Sequence, residues 1–249
     1  MLFRSTLCSS DDRYSDDAHY KGGCIVSDMF NWGTLFLAFQ GQAAYPAAMG
    51  KEKWREHWLE RLNAVEFNLG KWMTHPHRDA FWKHGSVCED YEQIACPVYA
   101  VGGWVDGYKN AVFRLLAGLK VPRKGLVGPW THTSPDEGVP GPAIGYLDEA
   151  LRWWDHWLKD SDTGIMKEPM LRVWMQSAVP SPREEDVPGR WVVESSWPAP
   201  RVQERTLFLN APATLDLEPG KEQRLSLAPL QTVGGAYMEI GRASCRERV

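Results

Sequence analysis

The chain is poor in several things at once. None of its apolar runs approaches the roughly 20 residues that cross a bilayer as a helix, which excludes a helical membrane span. It has no excess of positive charge: 28 Lys and Arg face 32 Asp and Glu, a net charge of −4 with no basic patch, which argues against nucleic acid as a partner. Its five cysteines include no C-x-x-C pair and show no disulfide framework, and Cys8, Cys24, Cys88 and Cys96 read as reduced, mostly buried thiols. The acidic run from Asp11 to Asp17 lacks the D-x-D-x-D-G spacing of a calcium loop and reads as a solvated or locally ion-paired loop. His75-Pro76-His77 has no third ligand at a suitable spacing and reads as a surface loop. No cofactor or metal is therefore expected. No secretory leader opens the chain, and no internal repeat runs through it.

What the chain has in plenty is tryptophan, 13 residues, pointing to buried aromatic surface or an aromatic-lined pocket. Its length suits one large domain or two modest ones. Two glycine-rich stretches carry most of the chemical information. Gly102-Gly103-Trp104-Val105-Asp106-Gly107-Tyr108 follows the apolar run 97–101, and Gly128-Pro129-Trp130-Thr131-His132 follows 124–127. Between them, Val112, Leu115, Leu116 and Leu119 fall on one face of a helix spanning 108–120. A strand–helix–strand unit of this kind puts its strands in parallel, about 5 Å apart. Asp106 and His132 then lie beyond the carboxyl ends of neighbouring strands, where open α/β sheets place their sites. An acid followed by a histidine in this order fits the sequence Ser…Asp…His of the α/β-hydrolase triad. The histidine would take the nucleophile's proton, and the acid would fix its tautomer.

Around this unit, 47–74 reads as helical, with Trp54, Trp58 and Leu62 four apart and Leu69 and Trp72 continuing the face. A second helical patch covers 78–84. Both read as a lid-like insertion, and Trp32, Trp54 and Trp58 are candidate linings of an apolar substrate pocket under it. A helix is expected over 146–159, packed through Leu147, Leu151, Trp154 and Leu158, with Trp153 and Trp157 widening the stripe. His156 and Asp155 on it read as structural, and His19 takes no role. From 170 the period changes to alternation, with short strands at 170–176, 191–194 and 206–209 that read as the start of an all-β domain.

The segments "CSSDDRYSDDAHYKGG", "GGWVDGYKN", "GLVGPWTHT" and "EALRWWDHWLKDSDTGI" resemble the cocaine esterase and X-Pro dipeptidyl-peptidase family, the CocE/NonD hydrolases. The resemblance covers about residues 8–210. It implies an α/β class with a partial α/β-hydrolase sheet, a helical cap and a truncated jelly-roll-like domain. The corresponding division is core over 1–46, cap over 47–95, core with the triad acid and histidine over 96–165, and β domain over 166–238. The family's triad acid falls on Asp106 in G-W-x-D-G and its histidine on His132 in G-P-W-x-H. Esters, amides and X-Pro peptides are the implied small-molecule or short-peptide substrates, and a homo-oligomer is implied by resemblance alone.

The departure lies in the nucleophile. The family's serine sits in a G-x-S-Y-x-G elbow, and no glycine in this chain is followed two residues later by serine. Ser5, Ser9 and Ser10 have no elbow glycine before them. The segment 239–249, Glu239 to Val249, resembles the translation of a sequencing adapter. Setting it aside removes Cys245 and moves the net charge from −4 to −5. The expectation is a chain truncated at both ends, catalytically dead and poorly folded, with an unpaired sheet edge. A cytoplasmic protein is the default, with export left open by the missing N-terminus. The alternative from another class is a carbohydrate- or partner-binding protein that uses the β region and the tryptophan-rich cap.

Overall fold

The computed structural model describes residues 4–43, 45–50, 52–177, 185–203, 205–210 and 214–220. The adapter-like segment 239–249, with Cys245, lies outside the described residues. The chain divides into two compact units, 1–198 and 199–249.

The first unit is built on a five-stranded sheet of β1 (Arg4–Leu7), β4 (Val98–Gly103), β5 (Arg123–Gly128), β6 (Leu171–Gln176) and β7 (Gly189–Glu194), in that spatial order. The first four strands are parallel, and β7 returns antiparallel to β6. A two-stranded ribbon of β2 (Tyr20–Lys21) and β3 (Cys24–Ile25) precedes the helices. Every residue of β4 is buried, as suits a parallel strand covered on both faces. Successive side chains alternate between two cores. Val98 and Ala100 join Val112, Leu115, Leu116, Leu119, Val127 and Leu171 under α6 (Lys109–Gly118). Tyr99 and Val101 join Leu126, Trp130, Tyr146, Trp153 and Ile165 under α7 (Tyr146–Leu158). The strand–helix–strand unit is as the sequence reads, with Val101 opposite Leu126 and Gly103 opposite Gly128.

Three readings are corrected. The strands at 170–176 and 191–194 do not open a separate β domain: β6 and β7 extend the core sheet, and the first unit runs on to Pro198 rather than ending near 165. Alternation marks any half-exposed strand, so it cannot separate a sheet edge from a new sheet. In the second unit, β8 (Phe208–Asn210) and β9 (Thr214–Asp216) pair antiparallel in a two-stranded sheet.

Helix α7 also packs through a different stripe. Leu147, Leu151 and Leu158 are exposed, while Tyr146 and Trp153 are buried, with Ala150, Trp157 and, of the expected stripe, Trp154 packed beside them. Both stripes have helical spacing; the aromatic one buries more area per residue and wins.

The helical region begins earlier than expected, with α1 (Ser27–Gln40), and the helical segment 47–74 is divided into three helices. These are α2 (Pro46–Met49), α3 (Lys53–Ala64) and α4 (Asn68–Met73). The backbone leaves the helix at Val65, φ −62° and ψ 123°. That turn lets α4 cross α1 closely: a Cβ on Gly33 would lie 2.7 Å from Leu69 Cβ. Helix α5 (Ala80–His84) starts on Asp79, whose side chain accepts from Phe81 N–H. No helix among the described residues is long and apolar enough to cross a membrane.

Candidate active site

The two glycine-rich loops leave β4 and β5 side by side and are stitched together by backbone. Trp104 N–H donates to Gly128 O at 2.9 Å, and Val105 N–H donates to Trp130 O at 3.0 Å. Gly103 permits this approach: a Cβ there would lie 2.1 Å from Trp130 O. Trp130 is buried and anchors its loop by donating from Nε1 to Pro142 O at 2.9 Å.

These constraints bring the predicted pair into contact. Asp106 Oδ1 lies 3.2 Å from His132 Nδ1 and also accepts from Tyr108 N–H at 3.2 Å. The two side chains face opposite environments: that of Asp106 is 1% exposed and that of His132 is 65% exposed. A carboxylate at Nδ1 places the neutral ring's proton on Nδ1 and leaves the Nε2 lone pair free to accept another. The Tyr108 ring stands 5.7 Å from the imidazole, tilted. The other oxygen, Asp106 Oδ2, is buried, and the Cys8 side chain is hydrogen-bonded to the same carboxylate.

Cys8 is the neighbour that the sequence did not reveal. It directly follows β1, its N–H continuing the ladder to Val101 O at 2.9 Å, and its backbone is left-handed at φ 52°. One ligand atom from each of Cys8, Asp106 and His132 lies within 4.8 Å of the others. Burial, together with the Asp106 carboxylate, pushes the Cys8 thiol up.

The serines near this edge point elsewhere. Ser5 Oγ pairs with Tyr146 Oη at 3.3 Å, Ser9 Oγ bonds Thr6 Oγ1 and Leu7 O, and Ser10 Oγ donates to Asp12 O at 2.8 Å. The acidic loop is ion-paired, but largely buried rather than solvated. Arg114 reaches buried Asp11 and, at 2.9 Å, Asp16, while Lys21 holds Asp16 at 2.7 Å. Asp17 takes Arg13 at 2.9 Å and buried His19 at 2.7 Å. Burial and a hydrogen bond to Asp17 push the Tyr108 phenol up.

The three candidate pocket tryptophans are not brought to this pair. Trp32 packs on Phe36, while Trp54 and Trp58 stack on each other at 5.9 Å. No described hydrogen bond or ring contact joins them to Asp106 or His132. His75 is held by Asp79 at 2.6 Å and stacks on Phe81. His156 bonds Ser161 O, and Asp155 pairs with Lys159. Of the four described thiols, Cys96 alone is buried and Cys24 is exposed, so burial is not their common state.

The family model for X-Pro dipeptidyl-peptidases (S15 family) matches residues 5–134. A protein of Mycobacterium bovis provisionally named a serine esterase is 30% identical over 118 residues, 45% of this chain and 17% of the relative. A Mycobacterium tuberculosis protein of the same provisional name matches equally. The crystal structure of a CocE/NonD family hydrolase from Staphylococcus aureus superposes with a TM-score of 0.66 at 17% identity. It covers 88% of this chain and 34% of that one. An alpha-amino acid ester hydrolase superposes with a TM-score of 0.52 at 15% identity, covering 88% and 39% respectively. The chain thus spans less than two fifths of the proteins it resembles.

Proposed function

The chain belongs to the X-Pro dipeptidyl-peptidase (S15) family, and on that premise we propose that Asp106 and His132 are the acid and base of a serine acyl-transfer site. The hydrogen bond from His132 Nδ1 to Asp106 Oδ1 carries the reading, because it joins a buried orienting carboxylate to a solvent-facing base. In this reaction His132 Nε2 takes the proton of an attacking serine hydroxyl and returns it to the leaving group. Asp106 holds the ring and balances the imidazolium that forms. The acyl-enzyme is then released by water. Substrates are small esters, amides or X-Pro peptides, a range that the names of the relatives support.

The serine is not supplied by this chain. Its sequence holds no Gly-x-Ser, and Ser5, Ser9 and Ser10 are engaged away from His132. The chain as it stands is therefore inactive, since losing the nucleophile removes several orders of magnitude in rate. A carbohydrate- or partner-binding role gives no part to a buried carboxylate aimed at an exposed imidazole. A serine-reactive fluorophosphonate probe tests the assignment. No labelling is expected, and stoichiometric labelling of Ser5, Ser9 or Ser10 would overturn it.

A further inference from the structure

One peptide group beside the acid–base pair is hydrogen-bonded at both ends. Its N–H, that of Tyr108, donates to Asp106 Oδ1 at 3.2 Å, the same oxygen that faces His132 Nδ1. Its carbonyl, Gly107 O, accepts from Lys21 Nζ at 2.8 Å. The N–H and C=O of a trans peptide point in opposite directions across one rigid plane. Holding the carbonyl therefore aims the N–H. A charged donor on the carbonyl also polarises the N–H on the far side, and such chaining strengthens a hydrogen bond by about 10–30%.

Lys21 is itself fixed. Its Nζ also donates to Asp16 Oδ1 at 2.7 Å, and its side chain is 25% exposed. Asp16 in turn is bound from α6 by Asn110 Nδ2 at 3.1 Å and by Arg114 at 2.9 Å. Lys21 stands opposite Cys24 in the β2–β3 ribbon, so a paired strand carries it. The peptide's other flank is held through Tyr108, whose ring stands 5.7 Å from that of His132 and whose hydroxyl is hydrogen-bonded to Asp17. A second lysine on the same loop, Lys109, reaches a different carbonyl, Trp104 O, at 3.4 Å.

We propose that Lys21 is a positioning residue for the Asp106–His132 pair, acting through the peptide between Gly107 and Tyr108. Its ammonium keeps the Tyr108 N–H on Asp106 Oδ1. The buried carboxylate is thereby kept facing His132 Nδ1, with the proton of the neutral ring on that nitrogen. This deepens the acyl-transfer reading and rests on it, since Nε2 is the nitrogen left to accept a serine's proton.

Nuclear magnetic resonance on the isotopically labelled chain tests this without turnover. The tautomer of neutral His132, read from its ring nitrogen shifts, reports the Asp106 bond, and solvent exchange of the Tyr108 amide proton reports the peptide. Wild type should carry the ring proton on Nδ1 and a protected Tyr108 amide. In Lys21→Met, Tyr108 exchange should quicken roughly 2- to 10-fold, the contribution of one hydrogen bond, and the Nε2–H tautomer should gain at the expense of Nδ1–H. Lys109→Met removes a positive charge from the same loop without touching Gly107 O, and should leave both readings as in wild type. Equal changes in the two variants would reduce the effect to charge and overturn the proposal, as would an unchanged amide or tautomer in Lys21→Met. An unprotected Tyr108 amide in wild type would overturn it with no variant needed. A wild-type ring protonated on Nε2 would overturn the acid–base reading itself, and the proposal with it.

Discussion

A methyl group at residue 103 would have to occupy space already held by backbone. The Cβ of a Gly103→Ala chain would stand 2.1 Å from the Trp130 carbonyl oxygen and 2.6 Å from its carbon. These atoms cannot swing aside as the end of a flexible side chain can. Trp130 is buried, tied by Nε1 to Pro142 O, and its carbonyl already accepts from Val105 N–H at 3.0 Å. Relief therefore requires the β4 and β5 loops to part, loosening that bond and the one from Trp104 N–H to Gly128 O. Overpacking of a tight interior costs about 1–3 kcal/mol, and weakening two backbone hydrogen bonds adds about 0.5–1.5 kcal/mol each. The expected loss is about 3 kcal/mol or more. Gly107→Ala is the matched control, because its Cβ would meet nothing within 4 Å. Urea unfolding followed by tryptophan fluorescence reads both variants as shifts in midpoint at constant slope. A Gly103→Ala midpoint indistinguishable from wild type, or one no lower than that of Gly107→Ala, would refute the argument that close backbone approach sets the pair's position.

The acidic loop gives two further tests. Arg114→Ala leaves Asp11, whose side chain is fully buried, without its cation, although Tyr91 Oη still donates to it at 2.6 Å. Breaking a buried pair costs about 3–5 kcal/mol, and the partial exposure of Arg114 puts this one near the lower end; a urea midpoint equal to wild type would contradict it. At Asp16, burial raises the carboxyl, but hydrogen bonds from Lys21 and Arg114 outweigh it and hold the group below its usual range. A depressed folded value means that stability is present above the unfolded carboxylate range near ~4 and is lost as pH falls through the folded value. Wild type and Asp16→Asn should accordingly converge in Tm on acidification, and a gap that stays constant would contradict the pairing.

The parts legible in sequence are those where one signal dominates. The apolar runs of β4 and β5, with the spacing of Val112, Leu115, Leu116 and Leu119, leave one arrangement, and Asp106 and His132 follow from it. Where two signals compete, sequence misleads. On α7 the leucine and aromatic stripes have the same period, and only the packing of Trp153 against Tyr99, 5.4 Å between ring centres, decides. Helix α1 is apolar nearly all round, so it offers no periodic face to read. Cys8 was invisible as a neighbour because its approach to Asp106 depends on the register of β1 against β4, Leu7 opposite Val101, a long-range pairing no local pattern encodes. The burial of the acidic loop is of the same kind, resting on Arg114 from α6.

The central claim is that Asp106 and His132 form an acid–base pair awaiting a serine, and kinetics on a completed enzyme tests it most directly. Extending the chain upstream along its own reading frame is expected to bring in a Gly-x-Ser-x-x-Gly after a strand and to restore ester or amide turnover. In that enzyme His132→Ala and Asp106→Asn should each lower kcat by roughly four orders of magnitude, with little change in stability. Turnover at the wild-type rate in either variant would contradict the account.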